Sequence, residues 1–423
     1  MTTRFTLLFS GALLMAQSAQ AQLRVDIAGV GGNQIPVAVA AFADEAIAPS
    51  QISTIIRADL ERSGVFKVID AGQSISESAA VDLSAFKASG ADALVVGSVQ
   101  KLADGRFQVR YKLLDTVKQT QISQLNDGAA PQHLRLEAHR IADDIYEKLT
   151  GVPGIFSTRI AYVKVKPAPG PQQYELVVAD ADGENEQVAA HGRESIVSPV
   201  WSPDGSKLAY VSFEPHKPVV VVRDLASGRS SVVANFKGNN SAPAWSADGS
   251  KLAVSLTTTG NTQVWVMNAD GGAPRRVSNS SDIDTEAQFS NDGQWLYFVS
   301  NRSGGPQVYR MGVNGGEPAR VTFNGSYNIS PRISPDGKTL AWIARIDGVY
   351  CLYAMDLATG QEQRLADNAT EPSFAPNGKY IVYASEADGR PALAVVSVDG
   401  RVKHSLSDRA GTVKAPGWGP FRQ

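Results

Sequence analysis

The stretch Trp201-Ser-Pro-Asp-Gly205 recurs with small changes as Trp245-Ser-Ala-Asp-Gly249, Phe289-Ser-Asn-Asp-Gly293, Ile333-Ser-Pro-Asp-Gly337 and Phe374-Ala-Pro-Asn-Gly378. Trp418-Gly-Pro-Phe421 reads as a sixth, truncated copy. The copies begin 44, 44, 44, 41 and 44 residues apart, near the roughly 40 to 50 residues of a four-stranded propeller blade. Asp-Gly and Asn-Gly supply the positive φ of a tight hairpin, so the motif reads as the turn between the first two strands of a blade. Its Asp is then a turn residue and not a catalytic acid.

Each unit divides into an inner strand ending in the motif, a strand such as Lys207-Leu-Ala-Tyr-Val-Ser212, one such as Gln263-Val-Trp-Val-Met267, and a short fourth such as Arg275-Arg-Val-Ser278. Ser227-Gly228, Gly271-Gly272, Gly315-Gly316 and Thr359-Gly360 mark the turns before the fourth strands. The second-strand pattern appears once before any motif, at Arg159-Ile-Ala-Tyr-Val163, while the copy at Trp418 has no second strand after it. One blade is therefore shared between two distant parts of the chain. Ala415 to Phe421 is expected as the inner strand of the blade that starts near Ile160, giving an all-β, six-bladed β-propeller over residues 155–423 whose closure leaves no end blade unpaired. One junction departs from the period: ten positions separate Arg364 from Phe374, against thirteen from Arg320 to Ile333.

Upstream the pattern is α/β, predicting a small α/β domain over 34–150 and a linker at 151–154. Ile35 to Phe42, Val65 to Ile69, Ala93 to Gly97 and Arg106 to Leu114 read as strands. Ser50 opens a helix with Ile52, Ile55, Ile56 and Leu60 on one face and Gly64 as its stop, and Leu134, Ala138, Ile141, Ile145 and Leu149 mark a closing amphipathic helix. Before this domain, Arg4, an apolar run from Phe5 to Met15 and Ala19-Gln20-Ala21 have the form of a cleaved export signal over 1–21, leaving 22–33 as a flexible mature N-terminus. The apolar run is shorter than the roughly 20 residues that span a bilayer.

With 40 Lys and Arg against 42 Asp and Glu, a formal net charge of -2 and no long run of either sign, neither a nucleic-acid partner nor a polybasic membrane anchor is indicated. The single Cys351 stands in an apolar stretch and reads as a buried strand residue. No G-x-S-x-G and no H-E-x-x-H occurs, and the five histidines at 133, 139, 191, 216 and 404 are scattered, against a serine or zinc hydrolase. Gly29, Gly31 and Gly32 precede the first strand instead of following it, unlike a phosphate loop. The loops entering the inner strands hold Asn239, Asn240, Asp284, Thr285, Glu286, Asn328, Thr370 and Glu371. Such a rim suits protein binding through many donors and acceptors; the alternative is an exported, lactonase-like propeller hydrolase with an axial metal, and a third possibility is a scaffold with no signalling role.

The order of export signal, N-terminal segment, α/β domain and propeller, the repeats Pro199-Val-Trp-Ser-Pro-Asp-Gly205 and Pro243-Ala-Trp-Ser-Ala-Asp-Gly249, and the ending Lys414-Ala-Pro-Gly-Trp-Gly-Pro-Phe421 together resemble the TolB family. The resemblance spans the whole chain. It implies a non-enzymatic periplasmic adaptor of the Tol-Pal system, without cofactor or metal, monomeric when unbound, supporting outer-membrane integrity and constriction during cell division. It implies that the propeller mouth binds the lipoprotein Pal, giving peripheral association with the outer membrane, and that the mature N-terminus binds TolA. Carried onto this sequence, the Pal-facing candidates are Asn239, Asn240, Ser241, Ala242, Thr285, Glu286, Asn328, Thr370 and Glu371. The TolA-facing candidates are Gln22, Leu23, Arg24, Val25, Asp26 and Ile27.

Overall fold

Ile52, Ile56 and Leu60 fall four residues apart and are fully buried, which is what a helix with one face against a sheet requires. They belong to α1 (Ile52–Ser63), capped by Gly64 at φ 68. A glycine is needed there twice over: the φ is left-handed, and a Cβ would collide with the Val402 side chain of the propeller. This computed structural model describes residues 25–27, 34–166, 170, 172–387, 390–406 and 412–422. The expected leader, Gln22, Leu23, Arg24 and the glycines at 29, 31 and 32 lie outside the described residues.

The short strand β1 (Val25–Ile27) is followed by β2 (Ile35–Ala41), α1, β3 (Phe66–Ser74), α2 (Leu83–Ala88), β4 (Ala93–Lys101), β5 (Phe107–Asp115), β6 (Thr120–Ala129) and α3 (Leu134–Thr150). β2 to β6 form a five-stranded sheet in the order β3-β2-β4-β5-β6. β2 runs parallel to β3 and β4, and β5 and β6 add as antiparallel hairpins. α1 and α3 cover one face, where Val37, Val95, Val109 and Leu113 meet Ile56, Leu134, Ile141 and Ile145 in a single core. Two elements go beyond the sequence reading. α2 is only six residues long, held at its start by Asp82, whose carboxylate accepts from the Ser84 and Ala85 amides. β6 is a mostly exposed edge strand, and a register shift between Leu113 and Leu114 breaks the alternation that would have marked it.

Six antiparallel sheets follow around a ring. The inner strands of blades two to six are Ile196–Trp201, Asn240–Trp245, Asp284–Phe289, Asn328–Ile333 and Ala369–Phe374. Blade one takes its inner strand from Thr412–Trp418, which pairs with Arg159–Lys166 and brings Trp418 opposite Ile160. The strand lies three residues upstream of the span expected, and the chain after Trp418 leaves the sheet. The fourth strands of blades three and four shrink to Arg275–Arg276 and Ala319–Arg320. At the shortened junction the fourth strand Glu362–Asp367 runs almost directly into Ala369–Phe374, with only Asn368 between them at φ 49. Cys351 is fully buried in its strand.

The repeated motif is a turn in each of its five full copies. Ser202 Oγ accepts from the Lys207 amide at 2.9 Å and donates to Asp204 Oδ1 at 2.6 Å, and Asp204 Oδ1 also accepts from the Ser206 amide at 3.0 Å. The same set is built by Ser246 with Asp248, Ser290 with Asp292 and Ser334 with Asp336. These carboxylates satisfy backbone donors that the turn would otherwise leave unpaired.

The α/β domain rests on the motif-turn side of the ring. Tyr380 donates its hydroxyl hydrogen to the Ser63 carbonyl at 2.8 Å, and Asn377 Nδ2 donates to the Pro153 carbonyl at 3.1 Å. Between them lies a buried ionic group: Asp59 of α1 pairs with His139 Nδ1 of α3 at 2.6 Å, and Arg62 and Arg135 reach Asp182 of blade one. The inner strands enter from the opposite side, so the propeller mouth faces away from the α/β domain.

Candidate functional site

Each inner strand contains a β-bulge at the same place, three residues from its start in blades two to six. The register slips between Val197 and Val200, Ser241 and Ala244, Thr285 and Gln288, Ile329 and Arg332, Thr370 and Ser373, and Lys414 and Gly417. The residue inside every slip is left-handed: Ser198, Ala242, Glu286, Ser330, Glu371 and Ala415 have φ of 52, 49, 53, 54, 53 and 52. A non-glycine residue at positive φ is strained, and six in a ring is a property of the architecture. The bulges turn the first residues of the inner strands toward the mouth, and a proline directly follows the left-handed residue in five of the six, at Pro199, Pro243, Pro331, Pro372 and Pro416.

The predicted mouth residues separate by depth. Asn239, Ser241, Ala242 and Thr285 are partly exposed, and Thr370 is exposed. Asn239 Nδ2 donates to Ser241 Oγ at 3.1 Å, and Thr285 donates to Ser255 Oγ at 3.1 Å. Asn240 and Asn328, expected at the rim, are instead fully buried. Asn240 holds its own loop, accepting from the Phe236 amide at 2.8 Å and donating to the carbonyls of Pro218, Phe236 and Gly238. Asn328 donates to Gln307 and Asn324 and accepts from the Trp342 indole at 2.8 Å. Asp284, at the matching position, is buried against Arg302 at 2.9 Å.

Glu286 and Glu371 lie deeper than a rim. Glu286 Oε2 accepts from the Ser330 amide at 2.7 Å, and Glu371 Oε2 accepts from the Ala415 amide at 2.7 Å, so each carboxylate links its bulge to the bulge of the next blade. Arg332 stands near both. Burial pushes its guanidinium pKa down, opposed by the charges of Glu286 and Glu371. Burial also raises the Glu371 carboxyl, against the Ala415 amide and the charges of Lys414 and Arg332. These carboxylates are committed to holding the ring together. Among the described residues, the one trio of side chains close enough to share a metal is Asp59, His139 and Asp182 at the domain interface, where arginines already take the carboxylates.

Two apolar residues in the mouth loops were not singled out from the sequence. Phe323 is 69% exposed in the loop entering blade five, under the Arg320 guanidinium at 5.3 Å, and Ile283 is 48% exposed in the loop entering blade four. Large apolar groups among polar loops are the pattern of an interface centre. Their signal was an exposed hydrophobe just upstream of an inner strand.

On the opposite side, β1 adds to the outer edge of blade six as its fifth strand. It runs antiparallel to Val402–Ser405, with Val25 opposite His404, Asp26 opposite Lys403 and Ile27 opposite Val402. Three residues of pairing are a small hold, so a segment attached this way can exchange between docked and free states at low cost.

Together the ring, its bulged polar mouth, the α/β domain and the edge-docked segment define a two-domain β-propeller protein. The TolB beta propeller domain matches residues 146–422, and the TolB amino-terminal domain matches residues 23–122. The chain belongs to the TolB family. It is 62% identical over 406 residues to the Tol-Pal system protein TolB of Albidiferax ferrireducens, covering 95% of each chain, and 58% identical over 400 residues to that of Azoarcus sp.. The match to the protein of Aromatoleum aromaticum, 52% identical over 222 residues, spans about half of that relative, 51%. The crystal structure of TolB from Acinetobacter baumannii superposes with a TM-score of 0.84 at 35% identity, over 95% of this chain and all of that one. No helix among the described residues is long and apolar enough to cross a membrane.

Proposed function

We propose that the chain is a non-enzymatic, periplasmic adaptor of the Tol-Pal system that binds Pal at the propeller mouth and TolA through the segment from Gln22 to Ile27, supporting outer-membrane integrity and constriction during division. At the mouth the contact set is Asn239, Ser241, Ala242, Thr285 and Thr370, with Phe323 and Ile283 as apolar anchors. Asn240, Asn328, Glu286 and Glu371 act behind it by fixing loop and bulge geometry. The observation that carries the adaptor reading is the edge pairing of Val25–Ile27 on blade six: a short strand held by three pairs is a segment that a partner can compete for. A partner that prefers one of two closely balanced states shifts the balance by its differential affinity.

The test is a titration of the TolA periplasmic domain into the chain from Gln22 onward and into a variant lacking 22–33. Loss of binding with unchanged thermal unfolding of the propeller supports the assignment. Equal affinity for both chains would overturn it.

A further inference from the structure

A cleft of about 610 Å³ lies between the two domains on the side away from the mouth. Its walls are the start of α3, blade one, the motif turn of blade two and the chain after the closing strand. Four guanidinium groups line it: Arg135 and Arg140 from α3, Arg159 from blade one and Arg422. Against them stand two carboxylates, Asp180 and Asp204. Asp204 is occupied by its turn, accepting from the Ser206 amide at 3.0 Å and the Ser202 hydroxyl at 2.6 Å. Asp180 is shared by Arg135 and Arg422, each at 3.3 Å.

Arg135 is further paired with Asp182 of blade one, which leaves Arg140, Arg159 and Arg422 as the guanidinium groups that are only partly partnered. Arg159 lies over the Trp201 ring at 4.8 Å and donates to the Gly205 carbonyl at 3.0 Å. Arg140 is about half exposed, with Glu137 no nearer than 3.7 Å. The Nε of Arg422 is buried with no acceptor. Burial depresses the guanidinium of Arg159, and the charge of Arg422 adds to it; burial depresses Arg422 as well, with Arg140 adding against the relief from Asp180. Like charges gathered in a half-enclosed cleft, with an unsatisfied buried donor, are the arrangement that an anion relieves. Trp201 and Phe421 supply an apolar wall beside them.

We infer that this interdomain cleft binds a small multivalent oxyanion, a polycarboxylate or a polyphosphate, held by Arg422, Arg159 and Arg140. Because the donors come from both domains, the ligand ties α3 to blade one and stabilises the folded chain by mass action. The site is separate from the mouth and does not depend on what the mouth binds.

The experiment is calorimetric titration of citrate, and separately of pyrophosphate, into the chain from Gln22 onward at low ionic strength. Saturable one-to-one binding of either anion is expected, and which one binds identifies the source chemistry. Arg140→Gln and Arg422→Gln should each weaken it on the order of tenfold, the loss expected for one charge-assisted hydrogen bond, while Asp180→Asn should strengthen it. Arg140 is exposed enough that its variant keeps the fold, checked by circular dichroism. The mouth variant Asn239→Arg, Thr285→Arg should bind as the parent does. Absence of binding by both anions, or binding unchanged in both arginine variants, would overturn the site. Binding of a hexaglutamate peptide without either small anion would overturn the small-ligand class in favour of an acidic peptide.

Discussion

Trp201 donates its indole N–H to the carbonyl of Gly417, 3.0 Å away and 216 residues further along the chain. Trp245 does the same to Val200 at 3.3 Å. The large residue that opens the motif thus reaches back to the inner strand of the preceding blade, and at Trp201 this contact joins blade two to the strand that completes blade one. Trp201→Phe keeps the packing and strands the Gly417 carbonyl, so it should cost about 1 to 2 kcal/mol in thermal or urea unfolding. Removing 412–423 deletes the inner strand of blade one and should abolish the single cooperative transition of the propeller.

The buried and rim asparagines should part company under mutation. Asn328→Ala leaves the Trp342 indole and the Asn324 carbonyl without partners, with an expected loss of about 3 kcal/mol. Asn240→Ala strips the 236–239 loop of its bonds and should behave alike. Asn239→Arg and Thr285→Arg, on partly exposed side chains, should stay within about 0.5 kcal/mol of the parent. Urea denaturation of the four variants checks the contrast.

How the ring could be read from sequence, and its mouth only in part, follows from the range of the interactions involved. The motif is built by contacts two to five residues apart, as from Ser202 to Asp204 and Lys207, so it leaves a regular local signature. The bulges leave a fainter one: the left-handed position accepts Ser198, Ala242 and Glu286 alike, but a proline directly follows it in five of the six inner strands, and a proline inside a paired strand marks a bulge or an edge. Asn240 looked like a rim residue because its partners include the Pro218 carbonyl, 22 residues away in the neighbouring blade. The ionic group of Asp59, His139 and Asp182 joins residues from both domains, beyond any spacing argument.

Acid should loosen the motif turns. The hydroxyl of Ser202 and then the amide of Ser206 hold Asp204 at a pKa of about 2, and Ser246 and Ser250 hold Asp248 at about 2 in the same way. A carboxyl depressed on folding stabilises the fold above its unfolded value near 4, and that stability is lost as pH falls through about 2. Asp204→Asn should be mild at neutral pH, since Asn377 already fills the position and accepts from the Lys379 amide, and it should flatten this acid limb. A melting-temperature profile from pH 5 to 2 reads the difference.

The domain interface should weaken toward alkaline pH. Burial disfavours the His139 imidazolium, but Asp59 and then Asp182 outweigh it against Arg135, so the folded pKa is raised. Burial likewise opposes the charge of Asp182, and Arg62, His139 and Arg135 overcome it. A raised imidazole contributes its full stabilisation below its unfolded value near 6.5 and loses it as pH rises through the folded value. His139→Gln should remove that decline, seen as a flat unfolding midpoint from pH 6 to 9.

The measurement closest to the proposed role is calorimetric titration of the chain from Gln22 onward with the periplasmic domain of Pal from the same organism, beside Asn239→Arg, Thr285→Arg. The proposal predicts saturable binding by the parent and loss of binding in the double variant, with the fold intact by circular dichroism. No binding by the parent, or equal affinity in the variant, would contradict Pal recognition at the propeller mouth.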